Sequence, residues 1–74
     1  MNLVLGCKMF NVSQTKEGVV VGDSFEKVLG IYGAFTDSQI NGEIFVVYFG
    51  NIVFNFLNNI VISIAYIGEQ NILL

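Results

Sequence analysis

EIFVVYFGNIVFNFLNNIVISIAYI, residues Glu43 to Ile67, decides how this chain folds. Three apolar runs are separated by Gly50-Asn51 and Asn58-Asn59, each interruption two residues long. Glycine lacks Cβ and asparagine tolerates the left-handed region, so both dipeptides suit the positive φ of tight hairpin turns. The runs are rich in Ile, Val, Phe and Tyr, which fit a pleated, packed surface. The spacing predicts a three-stranded antiparallel meander over Glu43–Phe49, Ile52–Leu57 and Ile60–Ile67. The same stretch has no charged residue between Glu43 and Glu69. A transmembrane helix is therefore the competing reading. Asn51, Asn55, Asn58 and Asn59 would be costly in hydrocarbon, and the even breaks suit hairpins, so the sheet is the reading adopted.

Two-residue loops give the meander a register. Phe49 then faces Ile52 and Leu57 faces Ile60, with Phe54 opposite Ser63 and Ile52 opposite Ala65. One face collects Phe45, Val47, Phe49, Ile52, Phe54, Phe56, Val61, Ser63, Ala65 and Ile67. The other collects Ile44, Val46, Tyr48, Val53, Asn55, Leu57, Ile60, Ile62, Ile64 and Tyr66. Both faces are apolar, so both are expected to be covered, one by a helix. The second face supplies a candidate interaction surface: Ile44, Val46, Tyr48, Ile62, Ile64 and Tyr66.

The helix is predicted just upstream, from about Ser24 to Tyr32. Phe25, Val28, Leu29 and Tyr32 form an i, i+3, i+4, i+7 stripe able to lie on a sheet. Asp23 is the expected N-cap, with Glu26 three residues on in capping-box spacing, and Gly33 is the expected stop. Gly30 is expected to permit close approach to a strand. Ala34–Gly42 reads as a connecting loop that either runs over the surface with Phe35 tucked into the core or presents Phe35 to a partner.

The N-terminal MNLVLGCKMFNV has two readings. It is a further strand, pairing with a meander edge or covering the spare face. Alternatively, Val4-Leu5-Gly6-Cys7 matches a lipobox, with Cys7 as the lipidated residue; this requires a true start further upstream. Contact with a membrane is expected only if Cys7 is lipidated.

With 74 residues, the chain is expected to form a single small α+β domain over residues 1–74, or a fragment of a longer one. One cysteine excludes an internal disulfide, and the absence of histidine argues against a zinc site. The six acidic and three basic residues give a net charge of −3, unfavourable for nucleic acid. A chain 54% hydrophobic and 12% charged is a candidate for self-association. No nucleophile–base pair, metal cluster or phosphate loop is evident, so neither an enzyme nor a bound cofactor is expected.

Gly18–Gly33, GVVVGDSFEKVLGIYG, resembles the segment that opens small bacterial lipoprotein domains of the BamE (SmpA/OmlA) group. The β-lactamase-inhibitor-like domains share the layout. Gly22, Ser24, Val28, Tyr32 and Gly33 carry the match, and the Ile52–Phe56 strand is similar as well. Ala34 stands where those families commonly have proline. The resemblance implies an α+β fold and a cell-envelope or secreted setting; a cytoplasmic one would follow if the N-terminus is complete. It implies no activity, because the matching positions cap, pack and turn. Taken together, the sequence predicts a non-enzymatic binding or scaffold module of the bacterial envelope, contacting protein through an apolar sheet face or edge. The alternative is a structural domain that forms a homodimer through the second sheet face.

Overall fold

The computed structural model describes the backbone over residues 4–72 and side chains over residues 9–68. In chain order the elements are β1 (Val4–Val12), α1 (Phe25–Tyr32), β2 (Asp37–Asn41), β3 (Ile44–Phe49), β4 (Ile52–Leu57) and β5 (Ile60–Ile72). The fold is α+β, one helix on a five-stranded antiparallel sheet ordered β1-β5-β4-β3-β2. The first strand pairs with the last, while β2 to β5 form a meander leading back to it.

Local chemistry explains the hairpins. Gly42 and Gly50 open the turns before β3 and β4 with φ of 65° and 64°. Asn58 and Asn59 both have positive φ, 53° and 65°, the pattern of a type I′ turn, whose twist matches that of the flanking strands. The three strands read from the sequence are β3, β4 and the first part of β5, so this stretch is not a helix. The N-terminal strand joins the β5 edge. It extends the sheet, and among the described residues no element lies over the second face.

β2 replaces the loop expected at Ala34–Gly42. Its sequence, DSQIN, has one large apolar residue, because an edge strand need not bury either face. The two-residue turn at Gly42-Glu43 pairs Asn41 with Ile44 and carries the meander one strand further.

The register of β5 also departs from expectation. Leu57 pairs with Ile60 and Phe56 with Val61, but Asn55 then pairs with Ser63, leaving Ile62 as an extra residue in a β-bulge. Phe54 therefore faces Ile64, not Ser63, and Ile52 faces Tyr66, not Ala65. The physical reason lies along the other side of β5. Gly22 N donates to Val61 O and Val61 N donates to Asp23 O, so the segment entering the helix occupies the start of that edge. β1 takes over from Ile64. The change of partner coincides with the bulge.

The core lies between α1 and the sheet. Val28, Val47, Phe54, Phe56, Val61 and Ile64 are almost fully buried there, joined by Val19 from the loop after β1. Phe25 meets Phe45 and Phe56 edge-on, with ring centroids 5.7 and 5.0 Å apart. Tyr32 packs on Phe49 and Phe54 at the other end of the helix. Edge-to-face rings add about 0.5–1.5 kcal/mol each to the burial of their area.

Ser24, not Asp23, is the N-cap. It is extended, with φ −82° and ψ 157°, and its Oγ accepts from Lys27 N at 3.2 Å. Asp23 is held in the pairing with Val61, and its carboxylate accepts from Val20 N at 2.9 Å. Glu26 lies in the first turn without the capping-box spacing to Ser24, though its charge still suits the helix dipole. Gly33 ends the helix with φ 80° and donates to Leu29 O, but its ψ of −141° lies outside αL. Gly30 is exposed, with nothing near an added Cβ, so it gives no close approach.

Candidate functional site: the uncovered sheet face

Every aromatic contact from α1 and the following loop goes to one sheet face. Phe25 and Tyr32 reach Phe45, Phe49, Phe54 and Phe56, and Phe35 meets Phe45 and Phe49 edge-on. Phe35 is thus an edge piece of the core, with 39% of its surface exposed. Side-chain alternation places the neighbours of these residues on the opposite face.

That opposite face is organised in cross-strand rows. Asn41, Ile44, Leu57 and Ile60 form the first. Gln39, Val46, Asn55 and Ser63 form the second, and Asp37, Tyr48, Val53, Ala65 and Asn11 the third. Ile67 and Met9 continue beyond them. Val53 and Ala65 are buried among their neighbours, whereas Ile44, Val46, Tyr48, Asn55 and Ser63 are half-buried. Asn55 Nδ2 donates to Ser63 Oγ at 2.6 Å, a polar pair on the central strand and its neighbour.

Of the six residues expected on this face, the structure keeps Ile44, Val46 and Tyr48. Ile64 and Tyr66 move to the helix side, because the bulge reverses the alternation along β5. Ile64 is a core residue, and Tyr66 is half-buried opposite Ile52. Ile62 is the bulge itself, 42% exposed. Ser63, Ala65 and Ile67 take the places vacated. Sequence periodicity carries no signal for these three, because the shift arises from the partner change along β5.

Asp23, Lys27, Tyr32 and Glu17 are engaged in local structure. Asp23 is held below its usual range by the hydrogen bond from Val20 N and by Lys27, whose Nζ lies 3.1 Å away. Tyr32 donates to Glu17 Oε1 at 2.6 Å; burial, then that bond and charge, push its hydroxyl up to about 12. Thr15, the buried polar residue beneath this loop, accepts from Val19 N. Among the described residues there is no enclosed pocket and no cluster of three metal-ligating side chains. Nor is any described helix long and apolar enough to cross a membrane. The backbone of Cys7 lies in β1 opposite Glu69, while its side chain falls outside the described residues.

The sheet has two outer edges, β1 and β2. β1 is nine residues long, without proline, and Met9 and Phe10 on it are 59% and 51% exposed. Comparison with family models, curated proteins and solved structures finds no match to this chain.

Proposed function

We propose that this chain is a non-enzymatic protein-contact module whose working surface is the uncovered sheet face. One observation carries the reading: the half-buried Val46, Tyr48 and Ile67 form an apolar area around the buried Val53 and Ala65, and no other described element lies over it. An apolar sheet face left open on a small domain marks an interaction surface, since antiparallel sheets that face water alternate apolar with polar residues. The edge of β1 is contiguous with this face, so a partner could also add a strand there.

The bacterial envelope is the setting we attach to this reading, on the Val4–Cys7 lipobox match and the resemblance of Gly18–Gly33. The contact surface does not depend on it. Lipidation at Cys7 would make that residue the first of the mature chain and remove the pairs from Val4↔Ile72 to Gly6↔Gln70. Incorporation of labelled palmitate, lost in Cys7→Ser, tests the anchor separately.

A photo-crosslinking amino acid placed at position 48, in cells that express the chain, tests the contact surface. Protein adducts are expected from position 48 and not from position 27 on the exposed side of the helix. Equal yields at both positions, or none at 48, would overturn the assignment.

A further inference from the structure

The reading of the uncovered face as a contact surface leaves open what it meets, and the Asn55–Ser63 pair bears on that. An asparagine side chain offers two N–H donors and a carbonyl acceptor; a serine hydroxyl is both donor and acceptor. The bond from Asn55 Nδ2 to Ser63 Oγ uses one amide hydrogen and one oxygen lone pair. It leaves the Ser63 O–H as donor and Asn55 Oδ1 as acceptor, side by side on a half-buried apolar surface. These two groups complement each other, so a copy of the same pair, turned over, satisfies both.

We propose that the occupant of this face is a second copy of the chain. A two-fold axis runs along the strand direction between β4 and β5, and Ser63 O–H of each copy donates to Asn55 Oδ1 of the other. Rotation about such an axis keeps strand directions aligned, as in face-packed sandwiches about 10 Å apart. It lays β4 over β5 of the other copy and β3 over β1, following the sheet order. Tyr48 then lies over Asn11, because the two share a row, while Val53 and Ala65, already buried within each copy, lie beneath the contact. The outermost strand, β2, overhangs with its Asp37. The overlapped part of the face, from β3 to Met9 and Asn11, carries no charged residue. Two chains of net charge −3 therefore meet without a like-charge pair inside the contact.

The test uses the purified full chain. Sedimentation across a dilution series is expected to show a dimer at micromolar concentration. In Tyr48→Lys, two ammonium groups enter the contact, and the dissociation midpoint is expected to rise by about a hundredfold or more at unchanged far-ultraviolet circular dichroism. The second measurement reads the axis directly. In a Cys7→Ser background, chains carrying Asn55→Cys mixed with chains carrying Ser63→Cys should form a disulfide-linked dimer faster than either chain alone. A monomer at 100-fold higher concentration than about 1 μM, or a dimer indifferent to Tyr48→Lys, would overturn the proposal. So would equal disulfide yields in mixed and unmixed samples. A monomeric chain that still gives crosslinks to a different protein from position 48 would sink the second copy and leave the contact surface standing. A monomer with no such crosslinks would sink both.

Discussion

Phe54 on the central strand lies opposite Ile64, and the single extra residue Ile62 makes that pairing. Without the bulge, Ser63 would face Phe54 beneath the helix, and Ile64 would turn to the uncovered side. Both Phe54 and Ile64 are almost fully buried, so the difference is between a filled core and one with a hydroxyl inserted. Deleting Ile62 is expected to cost about 2–5 kcal/mol, the range for removing a large aliphatic side chain from a core. Ile62→Ser, at a position 42% exposed, should stay within about 0.5 kcal/mol of the parent. Urea unfolding of the two variants compares them; equal losses would mean that the bulge does not set the core.

The hairpins were legible because their signals are local: a run of Ile, Val and Phe, then Gly-Asn or Asn-Asn, then another run. The bulge was not, since it depends on Gly22 and Asp23 occupying the start of the β5 edge, some forty positions away in the chain from Val61. β2 was hidden for a different reason. Asp37-Ser38-Gln39 shows no alternation, because an edge strand is wetted on both sides; only Asn41-Gly42 ahead of the apolar run could have signalled a further hairpin. The candidate face was readable on β3, before the bulge, and misread on β5 after it.

The helix start shows two cap-competent residues in competition. Asp23 has the better sequence spacing, with Glu26 three residues later. Its backbone is drawn into pairing with Val61, and the cap passes to Ser24. Ser24→Ala is expected to lose about 1 kcal/mol, measured by urea denaturation at neutral pH. Asp23→Asn keeps an acceptor for Val20 N but loses the ion pair with Lys27 and the depressed carboxyl pKa. The Asp23 carboxylate contributes stability above its unfolded-state pKa, and the contribution fades as pH falls through the lower folded value. The gap between parent and Asp23→Asn should therefore close on acidification below about pH 4. A gap that widened there would contradict the assignment.

At the β4–β5 turn, both Asn58 and Asn59 adopt positive φ. Asparagine tolerates this region better than other residues with a Cβ, and glycine better still. Asn59→Gly, which creates the favoured Asn-Gly turn, is expected to be neutral or stabilising by a few tenths of a kcal/mol. Asn59→Val should lose roughly 1–2 kcal/mol, since a branched side chain clashes with its own backbone there. Thermal unfolding ranks the three chains. A valine variant as stable as the parent would show that the turn is not of this type.

Tyr32 ties the C-terminal end of the helix to the loop after β1, through a 2.6 Å hydrogen bond to Glu17 Oε1. The phenol must be protonated to donate, and burial together with Glu17 raises its pKa from 10.0 to about 12. Between those two values the folded chain holds a proton that the unfolded chain has released. The stabilisation is therefore fully present below pH 10 and is lost as pH rises towards 12. Tyr32→Phe keeps the ring on Phe49 and Phe54 but removes the proton and the bond, at an expected cost of about 0.5–1 kcal/mol at neutral pH. The informative quantity is the stability difference between the two chains. It should be constant from pH 7 to 9 and shrink above pH 10. A difference that stayed unchanged to pH 12 would mean that Glu17 and the Tyr32 hydroxyl are not coupled to folding.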